Sequence, residues 1–456
     1  MRDSVDMIFK EKLFAAAQAA GLDEYELYCK GDTSFEVTVF EGEIDEYKSE
    51  RTFGVSFRGK INGKMGYAFS EKMDDSVIAF LVDSVKQNAA LIEDEDEEFI
   101  YGGDSTYPEV ICYNPGLNNI PAKVKIETAM NIERAAMETD KRVESLTCGF
   151  ANGEREIFIV NSKGLNLRNI SNRFGAGAEI QAEGDDEQVK TAYEDYEGLD
   201  FAKLDPKALG QKAADKALAM LGASPVASGK YAIVFEPKPA AQMLEVWAQS
   251  FSAECAHKGF SALAGKLGEK IAADCITIID DPLLPGLSAT TPFDSEGVAS
   301  RTKTVVDAGV FKTFLHNTKT ARKDGTAPTG NGFKDALELP VGIAATNFYI
   351  KPDTHSHDAL LTQMGNGLVI TDLVLEGIDS GANEITGDFS VPAAGFLVEA
   401  GKICRPVDLI TVSGNFFDMI MDIVAVGDNL EFKLGNTANN MASPSVYVRM
   451  LDVAGE

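Results

Sequence analysis

The sequence predicts an α+β fold in two domains, helices with an antiparallel sheet over 1–222 and a strand-rich unit over 229–456. Three observations carry this. A chain of 456 residues is long for one domain. The stretch "SFEVTVFEGEIDEYKSERTFGVSFRGKINGKMGYAF" alternates apolar and polar residues between turn signals, as antiparallel strands do. Strand and helix signals elsewhere do not alternate as regular βαβ units, which argues against a doubly wound sheet.

The elements follow in order. The segment to about Gly21 has apolar residues at helical spacing. The meander comes next, broken at "EGE", "RGK" and "NGK". "DDSVIAFLVDSVKQNAALI" is a helix with an Asp cap, and the acidic run "EDEDEEF" at 93–99 is a solvated connector. A helix over about 122–140 precedes four strands, "VESLTCGF", "EREIFIVNS", "GLNLRNISN" and "AGAEIQAE". "DPKALGQKAADKALAMLGA" is a helix, and the Ser/Pro/Gly/Ala-rich "SPVASGKY" places the boundary near 223–229. The second half opens with the strand "KYAIVFEP" and one helix, "KPAAQMLEVWAQSFSAECAHKG". The strand "CITIIDD" follows, then a hairpin turning at Ala308-Gly309. Short Gly- and Thr-rich strands run to the end, with a helix near "FFDMIMDIVAV".

Composition excludes some functions. Seventy-one acidic residues against 42 basic ones give a net charge of −29. Such a surface repels phosphate, which argues against nucleic acid and against an anionic membrane. No apolar run reaches membrane-spanning length, and the N-terminus lacks the apolar stretch of a signal peptide. Six scattered cysteines without a C-x-x-C pair suit a reducing cytoplasm.

Common catalytic signatures are missing. There is no phosphate-binding G-x-x-x-x-G-K-[ST] and no G-x-S-x-G, and "GAGAEI" runs into a strand-like segment. "TGNG" at 329–332 reads as a tight connection in preference to a phosphate cradle. In "THSHD", His355 and His357 are a conceivable metal pair, but a helix start capped by Ser356 or Asp358 explains the stretch better. His316 reads as a turn residue. Cys255 and His257 sit about 200° apart on a helix and cannot share one ion. The helix around Trp247 is apolar over much of its circumference, with Glu245 and Gln249 on one polar edge.

Long motifs in the distal half then add to this reading. "APTGNGFKDALELPVGIAATNFYI", "EITGDFSVPAAGFLVEAGKICRPVDLITVSGN" and "VGDNLEF" resemble the TldD/PmbA family, also called the modulator-of-gyrase family. The resemblance covers roughly 228–456, and rests over 1–220 on element order and "GKINGKMGYAFSE". It implies two branches that pair: TldD-type subunits with a metal-binding H-E-x-x-x-H helix and a C-terminal Cys, and PmbA/TldE-type subunits without these ligands. Laid on this chain from the anchor "FSALAGKLGEKIAADCITIIDD", the motif falls on Leu244, Glu245 and Gln249, and the Cys near Thr437. Leu cannot coordinate, and an amide or hydroxyl is a poor zinc ligand.

The chain is therefore expected to be a non-catalytic PmbA/TldE-type subunit, with no metal and no cofactor of its own. Its expected partners are a TldD-type metallopeptidase subunit, or a second copy when alone, and a peptide or unfolded chain. Candidate peptide contacts are Gly387, Asp388, Phe389, Ser390, Gly414 and Asn415, on strands that could offer backbone edges. Two other readings are an autonomous hydrolase with an unrecognised site and a regulator contacting DNA gyrase. Val246, Trp247 and Ala248 include no Gly to ease a bend, so the helix is expected to be regular there. Residues five apart would then lie about 140° around its axis, too far for one ion.

Overall fold

The structure, a computed structural model, describes residues 7–93, 97–185, 187–375, 381–432 and 440–456. Positions 94–96 of the acidic run lie outside them. The fold is α+β. Helix α1 (Met7–Ala19) leads into β1 (Glu24–Phe40), β2 (Glu43–Ile61) and β3 (Lys64–Ser70), then α2 (Ile78–Leu91) and α3 (Ala122–Met137). Strands β4 (Val143–Asn161), β5 (Asn166–Glu183) and β6 (Val189–Gly198) follow, then α4 (Pro206–Ala219). The six strands form one antiparallel sheet in the order β3-β2-β1-β4-β5-β6. Two of its hairpins turn at Glu41-Gly42 (φ 51° and 75°) and Asn62-Gly63 (52° and 80°), both residues left-handed as a tight hairpin requires.

Several predicted breaks are not breaks. "RGK" lies inside β2, and the four predicted strands of 143–183 are two long ones. Gly153 and Gly175 fall in the gaps between predicted strands, but strand pairing on both sides holds each extended. Strand β6 was not foreseen. Asp205 caps α4, its carboxylate accepting from the Lys207 and Ala208 amides.

Alternation along β1 sets the layers. Leu27 and Cys29 face a core with α1 and α2, while Phe35, Val37 and Val39 face one with α3 and α4. Gly210 lets α4 approach α3 closely, since a Cβ there would lie 2.2 Å from the Ile132 carbonyl oxygen. On the opposite face, Tyr28 and Ile159 pack against Phe293 from the second half of the chain.

That half contains β7 (Gly229–Phe235), α5 (Pro237–Ala248), α6 (Ala253–His257), β8 (Ile278–Asp280), β9 (Lys303–Asp307), β10 (Val310–Phe311) and α7 (Thr318–Lys323). It continues with β11 (Gly332–Phe333), β12 (Gly342–Ile343), β13 (Phe348–Ile350), α8 (His357–Met364), β14 (Gly367–Leu373), β15 (Asp388–Glu399) and β16 (Lys402–Asn415). Helix α9 (Phe416–Met421), β17 (Ile423–Val426), β18 (Met441–Ala442) and β19 (Val446–Ala454) complete it. One sheet has the order β16-β15-β14-β7-β19-β17, and β16 also pairs with β19, so five strands close on themselves. A second sheet has the order β10-β9-β8-β13-β18. Ala308 and Gly309 form the expected turn (φ 45° and 79°). The segment predicted as a helix near "FFDMIMDIVAV" divides, because "IVAV" pairs with β19 as β17.

The helix predicted over 238–259 is also divided. Helix α5 ends at Ala248, a 3-10 turn covers Gln249–Phe251, Ser252 is extended, and α6 restarts the helix. The break is tertiary in origin. The Leu315 amide donates to the Phe251 carbonyl (2.8 Å), and the Ala253 amide donates to the Leu315 carbonyl (3.0 Å). A strand-like segment thus captures backbone groups that a continuous helix would use itself.

Candidate functional site

Helix α5 starts on Pro237 with Pro239 behind it, where a missing amide hydrogen costs nothing. Its buried face is Ala240, Met243, Leu244 and Trp247, packed against β7, β14 and β18. Leu244 is 1% exposed among Phe235, Ile350, Phe416 and Met419. Glu245 is half-buried, and Gln249 is exposed, its side-chain oxygen 3.9 Å from the Cys255 sulfur. Val246, Trp247 and Ala248 form the last turn of α5, and the helix gives way to a 3-10 turn only from Gln249. Thr437 lies outside the described residues.

The residues at these positions do not fit a metal. Leu244 brings only carbon to an apolar surround, and Gln249 brings a neutral amide at the surface. Among the described residues, no group of three His, Cys, Asp or Glu side chains could hold an ion. Ser356 caps α8, accepting from the Ala359 amide at 3.2 Å. His355 lies 3.7 Å from Asp353, while His357 lies 3.7 Å from Glu236, so the two imidazoles face different acids.

The six candidate peptide contacts form one patch. Asp388 pairs with Asn415 and Phe389 with Gly414 across β15 and β16. Their backbone groups are largely used within the fold. The Ser390 amide donates to Gly381 (2.7 Å), the Asn383 amide to Asp388 (2.8 Å) and the Phe416 amide to Gly387 (2.7 Å). What remains accessible is side chains. Asp388 accepts from Asn415 Nδ2 (2.9 Å) and Thr386 Oγ1 (2.8 Å), which hold its carboxyl below the usual range, and Ser390 is exposed beside it.

Trp247 joins this patch to α5, a role that sequence reasoning missed. Its ring lies 5.9 Å from Phe389 and 4.4 Å from Phe416, and its Nε1 donates to the Asn383 carbonyl at 3.2 Å. The only available signal was that Trp247 is the sole tryptophan of the chain.

Two other groupings were illegible because their members are far apart in sequence. Asp324 lies 2.7 Å from His257 Nε2 and 4.0 Å from His316 Nδ1. His316 is buried, which lowers its pKa. Second, Arg58 of β2 is buried with Glu26 at 2.7 Å and Glu296 at 3.7 Å, where the two halves of the chain meet. Beside them Asp294 accepts from the amides of Glu296, Val298 and Gly332. Burial and the Glu296 carboxylate push its pKa up to about 8, against the opposing pull of those amides. The "TGNG" loop serves this junction. Its Gly332 amide points at Asp294, and Asn331 donates to Asp280 at 2.8 Å, so these donors face carboxylates and leave no cradle for phosphate.

Comparison with known proteins agrees along the chain. Residues 228–455 match the model of a PmbA/TldA metallopeptidase C-terminal domain, 115–221 the central domain and 25–89 domain 1 of the same description. The latter two supply three strands each to the first sheet. The chain is 28% identical to the metalloprotease PmbA of Escherichia coli O157:H7, over 98% of this chain and 96% of that one. A solved structure from Thermotoga maritima, assigned as a modulator of a DNA gyrase, is 31% identical and superposes with a TM-score of 0.90, covering 98% of this chain and all of the other. TldE from Thermococcus kodakarensis shares the fold at 23% identity, with a TM-score of 0.88 over 98% of this chain and all of that one.

Proposed function

The chain belongs to the PmbA/TldA metallopeptidase family, and from that membership we propose that it is a non-catalytic subunit, of the PmbA/TldE type, that works with a TldD-type metallopeptidase partner. One observation carries the reading: Leu244, at the position of the first metal-binding histidine in the resemblance, is a closed piece of apolar core. A carboxylate at Glu245 has no metal-bound water to activate when the motif positions beside it, Leu244 and Gln249, bring only carbon and a neutral amide. The division into 1–222 and 229–456 belongs to the same proposal.

In this role the chain positions and the partner cuts. The substrate is a peptide or unfolded chain, and the Asp388–Ser390 surface beside Trp247 contacts it through side chains, because the strand edges there are already paired. Among the described residues, no helix is long and apolar enough to cross a membrane, which fits a substrate met in solution.

The test is co-expression with a TldD-type homologue from the same genome. The expected result is one complex that cleaves peptide, with zinc only in the partner, and no cleavage by this chain alone. Stoichiometric zinc in this chain by elemental analysis, or chelation-resistant peptidase activity in it, would overturn the proposal.

A further inference from the structure

One face of the first sheet carries its helices, through Phe35 of β1, Phe150 of β4 and Phe174 of β5. Alternation turns Ser34, Gly153 and Arg173 to the other face. The register sets Glu50 opposite Ser34, Ser34 opposite Gly153 and Gly153 opposite Arg173, so these four stand in one line across β2, β1, β4 and β5. The line has an acid at one end, a base at the other and only small residues between. A Cβ at 153 would meet nothing within 4 Å beyond the Thr33 carbonyl oxygen at 3.2 Å, so the middle is open space. A cleft of about 330 Å³ lies over it. At β5 the cleft is walled by Cys112 and Leu287, where the Asn172 amide donates to the Cys112 carbonyl (3.0 Å) and the Gly286 amide to the Ile111 carbonyl (2.7 Å). At β2 it is open, because Glu43–Phe53 is exposed where β3, paired only over Val55–Ile61, does not reach.

We propose that this cleft binds a short peptide of about three residues with both ends free, its carboxylate on Arg173 and Arg155 at the walled end and its ammonium on Glu50 at the open end. Arg155 stands diagonally beside Arg173, since it pairs with Ser171. The Arg155 Nε donates to Asp32 at 2.6 Å, and the Arg173 Nε lies 3.3 Å from Glu197. Among the described residues the terminal amino groups of both guanidinium forks have no acceptor, and Glu50 has no ion pair. Such forks match a carboxylate. The acids Asp32, Glu50 and Glu154 also line the cleft, so a polyanion would be repelled and a zwitterion suits it. The length agrees. Three interstrand steps separate Glu50 from Arg173, roughly 14 Å, and an extended tripeptide spans about 10 Å with about 3 Å more for the ion pair at each end. Hydrolysis of a peptide bond by water leaves one new carboxylate and one new ammonium, the two groups this line of residues would recognise. That the bound fragment is a product of the partner's cleavage rests on the proposed function, whereas the fit of the cleft to it does not.

The experiment is equilibrium dialysis of the full chain against radiolabelled trialanine, up to millimolar peptide. The expected result is saturable binding of one peptide per chain. Trialanine amide and N-acetyl-trialanine, each lacking one end charge, are expected to bind about tenfold more weakly to the unaltered protein. Arg173→Gln should weaken trialanine by about the same factor and leave the amide unaffected, because the amide has no carboxylate to lose. Glu50→Gln should weaken trialanine and leave the N-acetyl form unaffected. Both substitutions are at exposed positions, and the capped peptides test the same contacts without any substitution. No binding of trialanine, equal binding of the capped forms, or indifference to both substitutions would each overturn the inference. Its failure is separable from that of the proposed function. Trialanine binding without cleavage by the co-expressed pair would sink the latter alone, and cleavage without trialanine binding would sink the former alone.

Discussion

Trp247 of α5 stacks on Phe416 of α9 with ring centroids 4.4 Å apart and planes 10° from parallel. This contact fixes the end of α5 against the start of α9, with Asn415 capping α9 by accepting from the Phe417 amide. The helix that carries the metal motif in TldD-type chains, by the resemblance, is here held by a packed aromatic pair.

Trp247→Ala is expected to destabilise the protein by about 3–5 kcal/mol, through cavity formation and loss of the bond to Asn383. Trp247→Phe should cost less. Urea unfolding followed by far-UV circular dichroism measures both. In the unaltered chain the sole tryptophan reports on this site, so its fluorescence transition should coincide with the dichroism transition of the second half. A cost under about 1 kcal/mol for Trp247→Ala would remove its structural role.

Leu244→His is expected to cost about 2–5 kcal/mol, since it removes a buried aliphatic side chain and sets an unpaired imidazole in its place. Added zinc should leave the melting temperatures of the native chain and of this variant unchanged, and so should EDTA. A zinc-dependent rise in melting temperature would show that a ligand set is present after all.

Arg58→Met is expected to destabilise by about 3–5 kcal/mol, because Glu26 would stay buried without its cation. Changing Arg58 and Glu26 together, to Met and Gln, should cost less than Arg58→Met alone. A double-mutant cycle read by chemical denaturation checks the coupling.

Asp294 dictates a pH dependence. Its folded pKa, about 8, lies above its unfolded value, so the native state binds more protons between these limits and stability falls as pH rises through that window. Buried His316 is shifted the opposite way, and its gain is complete by its ordinary value of 6.5. Lys334, lowered to about 8 by burial, adds stability only as pH rises from there toward 10.5. Between pH 6.5 and 8 the buried carboxyl pair Asp294 and Glu296, both raised by burial, therefore sets the trend, and the urea midpoint should fall across that window. Asp294→Asn should flatten that slope, whatever its cost at a single pH. A midpoint that rises across the same window would contradict the assignment.

The sequence by itself determined the α+β class, the hairpins at Asn62-Gly63 and Ala308-Gly309, the Ser356 cap and the family resemblance. These are local signals, written in residues that are neighbours in the chain: left-handed turn residues, caps and alternation. Only the tertiary structure decided the rest. Leu315 ended α5 at Ala248 by exchanging backbone bonds with residues 251 and 253, which helical periodicity could not register. Pairing on both flanks drew predicted fragments into β4 and β5 through their glycines. Folding brought Arg58 to Glu296 from opposite halves of the chain and placed Asp324 between two histidines. The exposed stretch of β2 depended on where β3 stops, and Trp247 became a junction only because Phe389, Phe416 and Asn383 converge on it. Such relationships arise when distant segments bury surface together, and no spacing within one segment encodes them.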